Sequence, residues 1–264
     1  MGENDMSGNL EGKTALVTGG AGGIGLAISL LLAEEGASVL IFGRDEGKGN
    51  VALSRLREFG GKGFFRSVDL MDTESVDSAV RDFIGSTGSI DILVNNAGVS
   101  GFMGPVTGTP LEELTAVLRV NLEAPFQLAK LVLPEMTAKG YGRIVNISSV
   151  AARVNPPNSV TYNISKAGLN SLTASLSREV ASRGITVNAL APGLVLTDRI
   201  RNSRLPGLAR ETGKTPDELL AGMTAKTDTR RLTTEEELAQ AVLFLCSPGA
   251  GNISGEIIEM SGGY

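Results

Sequence analysis

The strongest constraint on the fold is a regular alternation of short apolar, β-branched segments with longer segments of helical period. Seven strands are predicted, at Thr14–Thr18, Ser38–Phe42, Gly63–Val68, Ile90–Val94, Arg143–Ile147, Thr186–Leu190 and Glu256–Glu259. The helical period is clearest at Gly23–Glu35, Thr73–Ile84, Pro110–Met136, Thr161–Ala181 and Thr234–Leu245. This order predicts βαβ units, and therefore an α/β fold with a parallel, doubly wound, seven-stranded sheet, helices on both faces and a ligand crevice at the carboxyl ends of the strands.

The alternation runs through almost the whole chain, so we expect one domain over residues 13–264 after a polar tail over residues 1–12. Hydrophobic residues make up 42% of the 264 residues, which is enough for a sizeable core. The first residues are polar and acidic, and no stretch approaches the roughly 18 apolar residues of a membrane span. We therefore expect a cytoplasmic protein.

Composition excludes several classes of chemistry. The chain has no histidine, so triads of serine, histidine and aspartate, cysteine–histidine pairs and imidazole metal sites are all ruled out, and no metal is expected. Cys246 is the only cysteine, and its apolar surroundings in the sequence predict a buried hydrophobe rather than a catalytic thiol. A net charge of −5 without a basic run argues against nucleic acid as a partner.

One segment interrupts the alternation. Residues 196–229 follow the sixth strand, are polar and carry arginines, and we expect one short helix and a lid over the crevice there. Two helix starts are marked by a threonine, a proline and a following glutamate, at Thr109-Pro110-Leu111-Glu112 and Thr215-Pro216-Asp217-Glu218. Both patterns predict a capping box.

A glycine-rich turn follows the first strand, with the spacing T-G-x-x-x-G-x-G from Thr18 to Gly25. Glycines at a strand-to-helix turn let the backbone approach a pyrophosphate at the positive end of the helix, as in Rossmann-type folds. A tight turn with a purely structural role is the alternative, because the spacing differs from the more widely used G-x-G-x-x-G.

Further motifs follow in order: Asn95-Asn96-Ala97-Gly98 after the fourth strand, Asn121, Ser149 after the fifth strand, Tyr162-x-x-x-Lys166, and Pro192-Gly193 after the sixth. Together with the glycine turn, this set resembles the short-chain dehydrogenase/reductase family over residues 14–264. The stretch from Arg178 to Asn188 is similar to the 3-oxoacyl-carrier-protein reductase branch. The resemblance implies an NAD(P)-dependent oxidoreductase.

Tyr162 and Lys166 lie four residues apart, so both face one side of a helix. A free tyrosine has a pKa of about 10, and a nearby ammonium favours the phenolate and brings the pKa toward the working range. We interpret Tyr162 as the general acid or base, whereas an isolated pair of this spacing would more often be ordinary surface.

Two more catalytic assignments depend on the resemblance. It implies that the Ser149 hydroxyl holds the substrate carbonyl oxygen, with Ser148 as its structural neighbour, and only the family register separates the two. Asn121 lies inside a helical pattern, where asparagine is mildly unfavourable. The resemblance implies that Asn121 holds a water linked to Lys166, and a helix kink without catalytic duty is the alternative.

The resemblance also implies the cofactor contacts, in which Lys166 holds the nicotinamide ribose and Pro192 to Thr197 hold the carboxamide. The predicted cofactor-binding residues are Gly19, Gly22, Gly23, Ile24, Gly25, Arg44, Asp69, Leu70, Asn96, Ala97, Gly98, Tyr162, Lys166, Pro192, Gly193, Val195 and Thr197. Asp69 could instead cap the helix that begins near Thr73. Pro192-Gly193 could simply end the sixth strand.

The residues after the second strand favour NADP(H) over NAD(H). Phe42-Gly43-Arg44 places glycine where the family usually has an acid that binds the ribose hydroxyls, and arginine can receive a 2′-phosphate. Asp45 and Glu46 count against this choice. We therefore predict an NADPH-dependent ketoreductase, with an NAD-dependent alcohol or polyol dehydrogenase and a cofactor-binding scaffold without turnover as the alternatives.

The substrate is predicted only as a small-molecule carbonyl or alcohol, with 3-oxoacyl thioesters as one candidate. Arg153, Asn155, Pro156, Leu194 and a lid from Arg199 to Met223 are expected to line the pocket. Lys139 and Arg183 lie about where carrier-protein reductases present basic residues. Family members usually pair their long helices, so we also expect a homotetramer, with a dimer as the alternative.

Overall fold

The computed structural model describes residues 10–58, 60–198 and 200–263, without the side chains of residues 203 and 204. Residues 1–9 of the predicted tail and Arg199 at the start of the predicted lid lie outside the described residues.

The predicted parallel sheet is confirmed, and every strand bound lies within two residues of its prediction. The strands are β1 (Thr14–Thr18), β2 (Ser38–Gly43), β3 (Gly63–Ser67), β4 (Ile92–Asn95), β5 (Gly142–Ile147), β6 (Ile185–Pro192) and β7 (Ile257–Met260). They pair in the order β3-β2-β1-β4-β5-β6-β7, and each pair is parallel. The strand order reverses between β1 and β4, which is where a fold of this kind opens its ligand crevice.

Helices cover both faces of the sheet. The α-helices of the described chain are α1 (Gly23–Glu34), α2 (Glu46–Glu58), α3 (Thr73–Thr87), α4 (Leu111–Leu118), α5 (Ala124–Lys139), α6 (Ala151–Val154), α7 (Val160–Val180), α8 (Leu205–Thr212), α9 (Pro216–Thr224) and α10 (Glu235–Cys246). Helices α1, α2 and α10 bury one core, and α3, α5 and α7 bury the other. Val17 and Leu16 are neighbours on β1 and enter opposite cores, as the period of a strand requires.

Helix α2 was not predicted. Its sequence contains Gly47 and Gly49, which weaken the helical signal, and only three of its residues are buried. Close packing against the sheet accounts for the helix nevertheless. At Gly49 the helix lies so near β3 that a Cβ would be only 2.6 Å from the ring of Phe65. Glycine therefore allows α2 to lie close against the sheet.

Three further expectations are corrected. The lid segment contains two helices, α8 and α9, rather than one, after a short π-helical turn at Ile200–Arg204. The capping box at Thr215 is present, but Thr109 does not cap α4, because its hydroxyl donates to the carbonyl of Pro105 and Pro110 takes the capping position. Among the described residues, no helix is both long enough and apolar enough to cross a membrane.

Cys246 is buried in the core, as predicted. Burial raises the pKa of its thiol to about 12, so a thiolate is strongly disfavoured.

Candidate active site

The glycine turn between β1 and α1 combines packing glycines with open ones. A Cβ at Gly25 would lie 2.3 Å from the carbonyl oxygen of Gly19, so only glycine fits there. A Cβ at Gly22 would meet open space, and Gly22 supplies no side chain to cap the first N–H groups of α1. The turn therefore leaves the positive end of α1 free for an anionic group, which is what a dinucleotide pyrophosphate requires.

A cleft of about 700 Å³ opens beside this turn at the carboxyl ends of β1, β2 and β4. Eight of the predicted cofactor residues line it together: Gly19, Gly22, Arg44, Asp69, Leu70, Asn96, Ala97 and Gly98. Its back wall comes from the chain after Gly98 and from one side of α4, including Val117. The cleft has the position and the lining that a dinucleotide would need.

Thr18 holds the two walls of this cleft together. Its hydroxyl accepts hydrogen bonds from the backbone N–H groups of Asn96 and Ala97, both at 3.0 Å. The side-chain amide of Asn96 donates to the Thr18 carbonyl at 2.9 Å. The end of β1 is thereby tied to the loop after β4. The sequence marks Thr18 only as the first residue of the glycine motif, although its side chain holds the two sides of the site together.

Arg44 lies at the mouth of the cleft, with 74% of its side chain exposed, and forms an ion pair with Asp69 at 3.9 Å. Asp45 caps α2 by accepting from the N–H of Lys48 over 3.0 Å, so this carboxylate is directed toward its own helix. The alternative cap role of Asp69 is wrong, since Asp72 caps α3. Asp69 instead accepts from the N–H of Met71.

The predicted helix Pro110–Met136 is interrupted. A π-helical segment, Arg119–Glu123, separates α4 from α5 and contains Asn121. Pro125 explains the interruption, because it has no N–H to donate to the carbonyl of Asn121 four residues earlier. The proline was visible in the sequence, yet the helical period on both sides of it concealed the break.

The side chain of Asn121 is fully buried and joins three elements. Its amide oxygen accepts from the N–H of Val99 over 2.9 Å, and its amide nitrogen donates to the Val99 carbonyl and to the Ser165 hydroxyl over 2.9 and 3.0 Å. Ser165 in turn donates to the backbone carbonyl of Tyr162. Asn121 is thus linked to the helix that carries Tyr162 and Lys166, through a serine that the sequence analysis did not single out.

Tyr162 and Lys166 lie on one side of α7, as predicted, with the Lys166 Nζ 5.8 Å from the centre of the Tyr162 ring. Lys166 is 4% exposed and donates to the carbonyl of Ile147 over 2.7 Å. Burial lowers the pKa of its ammonium to about 8. A Cβ at Gly98 would lie 3.3 Å from the Asn121 amide oxygen and 3.6 Å from the Lys166 Nζ, so both meet the wall of the cleft.

The two serines after β5 have different environments. Ser148 is buried, and its hydroxyl donates to the Asn170 side chain on α7 over 2.6 Å. Ser149 is partly exposed and accepts from the N–H of Ala151, which leaves its hydroxyl proton to donate to a ligand. The sequence could not separate these neighbours.

The chain segment that follows β6 lies beside the glycine turn. Gly193 packs against Ser261, and Val195 is buried beside Thr233. A Cβ at Gly23 would lie 3.9 Å from the Thr197 side chain, so the start of the predicted lid segment lies beside the start of α1.

Arg153, one of the expected pocket residues, is engaged elsewhere. Its guanidinium forms a bidentate ion pair with Glu259 on β7, with N···O distances of 2.5 and 2.8 Å. Asn155 adopts a left-handed turn, and the carbonyl of exposed Pro156 accepts from Asn163. Leu194 is partly buried, two residues after the carboxyl end of β6. The strongest charge predicted for the pocket is therefore neutralised.

Lys139 and Arg183 precede β5 and β6, at the amino ends of these strands and opposite the cleft. Lys139 is also paired with Asp91 over 2.8 Å. Neither residue therefore lies at the mouth of this chain's own cleft.

The chain is similar to known proteins in both sequence and structure. Residues 13–206 match the family described as short chain dehydrogenase. The 3-oxoacyl-(acyl-carrier-protein) reductase of Vibrio harveyi is 38% identical, over 97% of this chain and 98% of that protein. A structure of NAD⁺-bound xylitol dehydrogenase is similar with a TM-score of 0.89 and 31% identity, over 96% of this chain and 99% of that one. A structure of 7α-hydroxysteroid dehydrogenase complexed with NADH and 7-oxo glycochenodeoxycholic acid has the same TM-score and 33% identity, over 99% and 98% of the two chains.

Proposed function

Because this chain belongs to the short-chain dehydrogenase family, and is therefore an oxidoreductase of alcohol or ketone groups that binds a nicotinamide cofactor, we propose that it is an NADPH-dependent ketoreductase with Tyr162 as its general acid. The observation that carries this proposal is the buried Lys166 ammonium one helical turn from Tyr162, at the wall of the cleft beside Gly98.

The cleft fits the cofactor in three places. The open backbone at Gly22 receives the pyrophosphate, the lining at Asp69 and Leu70 receives the adenine, and Arg44 receives the 2′-phosphate. The residues from Pro192 to Thr197 hold the carboxamide end. When bound, the nicotinamide supplies or accepts the hydride, which is chemistry that the side chains cannot provide.

The side chains bind the substrate oxygen and transfer its proton. Ser149 donates to the substrate oxygen, and Tyr162 transfers the proton at its phenolic oxygen. The Lys166 ammonium favours the phenolate and holds the nicotinamide ribose. Acid–base groups positioned in this way contribute on the order of a hundred- to ten-thousand-fold in rate.

Asn121 completes the proton path through its backbone. Its side chain is occupied by Val99 and Ser165, whereas Pro125 cannot donate to its carbonyl. That carbonyl is therefore the atom of Asn121 suited to hold a water beside Lys166.

One observation favours a second candidate, an NAD-dependent alcohol or polyol dehydrogenase. The Arg44–Asp69 ion pair satisfies Arg44 without a phosphate, and the xylitol dehydrogenase structure contains NAD⁺. A scaffold without turnover is disfavoured because Tyr162 and Lys166 are both retained. Lys139 and Arg183 lie at the opposite end of the sheet from this chain's own cleft, so they do not themselves support the carrier-protein version of the reductase.

The test is a screen of ketones, 3-oxoacyl thioesters, secondary alcohols and polyols with each nicotinamide, followed by the absorbance of the reduced ring. Reduction of ketones with a preference for NADPH supports the proposal. Oxidation of polyols with NAD⁺ alone supports the second candidate, and no turnover with any pair supports the scaffold.

A further inference from the structure

Glu235 brings a carboxylate to the glycine turn, and no role proposed above uses it. It is the first residue of α10, which packs against α1 in the same core. Its Oε1 atom is buried without a hydrogen-bond partner among the described residues. A Cβ at Gly23 would lie 3.5 Å from this oxygen, and the same point is 3.9 Å from Thr197. The carboxylate, the start of α1 and the start of the lid therefore meet at one place.

The cap of α10 does not require Glu235. Thr234 and Glu237 form the capping box, and Glu237 also pairs with Arg231 over 2.6 Å. Glu236 is exposed in the same helical turn and can interact with the helix dipole equally well. A structural role for Glu235 at its own helix end is therefore redundant.

Among the described residues, the charges around Glu235 do not neutralise it. Asp198 and Glu236 are negative, and Arg201 of the lid is the positive group that acts on it. Arg230 and Arg231 line the adjoining pocket, but Arg230 donates to the Ala225 carbonyl and Arg231 pairs with Glu237. Burial is the main cause that raises the pKa of the Glu235 carboxyl, followed by Glu236 and Asp198, whereas Arg201 lowers it.

We propose that Glu235 sets the affinity for the cofactor by opposing the pyrophosphate while it is ionised, so that cofactor binding takes up a proton at this carboxyl. The inference rests on the proposed function, which places the pyrophosphate at the start of α1. Two anions would then share one positive helix end, and protonation of Glu235 relieves the repulsion. The affinity should fall as pH rises through the titration of Glu235, because the bound state holds the additional proton.

The test is fluorescence titration of NADH and NADPH with wild type, Glu235→Gln and the matched control Glu236→Gln, between about pH 5 and about pH 8.5. Near the upper limit, Glu235→Gln should tighten both cofactors by roughly five- to tenfold, and near the lower limit the difference should narrow. Both cofactors should respond alike because they share the pyrophosphate. The NADH measurements also avoid the titration of the 2′-phosphate, which has a second pKa of about 6.

Calorimetry in two buffers of different ionisation enthalpy counts the protons directly. NADH binding should take up protons in wild type and in Glu236→Gln but not in Glu235→Gln, with Glu235→Ala as a second variant that lacks the carboxyl. The inference is overturned if Glu235→Gln binds no more tightly than wild type, or if Glu236→Gln has the same effect. In either case, binding and turnover by wild type would leave the proposed function intact. Failure of wild type and of all variants to bind either cofactor would overturn both the inference and the proposed function.

Discussion

The Lys166 ammonium donates to the backbone carbonyl of Ile147 over 2.7 Å, at the end of β5 and directly before the two serines. This bond holds a charge that is almost completely removed from water. A pKa lowered from 10.5 to about 8 by burial corresponds to a penalty on the order of 3 kcal/mol at neutral pH. The site therefore retains Lys166 at a cost to stability.

Replacing this lysine should separate stability from function. We expect Lys166→Met to raise the free energy of unfolding by about 1–3 kcal/mol near pH 7, to abolish turnover and to weaken cofactor binding. The unfolded lysine keeps its proton up to about pH 10.5 and the folded one only to about 8, so wild-type stability should rise between these values. The advantage of the variant should shrink over the same range. Denaturant unfolding at several pH values measures this, with exposed Lys130→Met as the control.

Removal of the Tyr162 hydroxyl should affect chemistry and not binding. Tyr162→Phe should lower turnover by at least about a hundredfold and leave the cofactor dissociation constant within about twofold. Tyr141→Phe is the matched control, because that ring lies between Lys13 and Arg143 near the amino end of β5. Retention of more than about a tenth of the wild-type rate by Tyr162→Phe would refute the proposed mechanism.

The two serines should have opposite phenotypes. Ser149→Ala should lower turnover by roughly a hundredfold with little change in melting temperature, because it removes the donor to the substrate oxygen. Ser148→Ala should keep most of the activity and cost about 1 kcal/mol of stability, since it leaves the Asn170 amide without its 2.6 Å partner. Steady-state kinetics and thermal unfolding separate the two outcomes, and a reversed pattern would transfer the catalytic role to Ser148.

Replacing Arg44 should change the affinity for NADPH and not the affinity for NADH. Its side chain is largely exposed, so the lower end of the range for charged hydrogen bonds applies, about 1.5 kcal/mol or roughly tenfold in affinity. Arg44→Ala should weaken NADPH by about that factor and leave NADH unchanged, whereas exposed Arg57→Ala should change neither. Gly43→Asp with Arg44→Ala should reverse the preference, provided that the Phe65 ring yields, because the new Cβ would lie 3.3 Å from it. An equal loss of affinity for both cofactors would show that Arg44 does not bind the 2′-phosphate.

Exposed apolar side chains on α4, α5 and α7 favour the proposed homotetramer. Leu111, Phe126 and Ile164 are 72%, 53% and 47% exposed, and pairing of these helices would cover them. Light scattering at micromolar concentration should give the mass of four chains, and Phe126→Arg should lower it by burying a charge at the interface. A wild-type mass of one chain would contradict this expectation.

Most of the fold could be read from the sequence because its signals are local. β1 and β4 are continuous apolar runs, and strands buried on both faces need such runs wherever they lie in the sheet. The same locality explains the errors. Helix α2 has a weak pattern of its own and depends on contact with Phe65, and the π segment depends on one proline inside a strong helical period.

Local sequence is sufficient to predict the order of strands and helices along the chain, the glycine turn after β1, and the helical spacing that puts Tyr162 and Lys166 on one side of α7. Contacts between distant elements determine which of the Ser148 and Ser149 hydroxyls is free, how the Asn121 side chain is held, and how close Glu235 lies to Gly23. These last two residues are more than two hundred positions apart in the chain. Contacts of that kind arise from the packing of α10 against α1, and a periodic pattern within either helix records its buried side but not its partner.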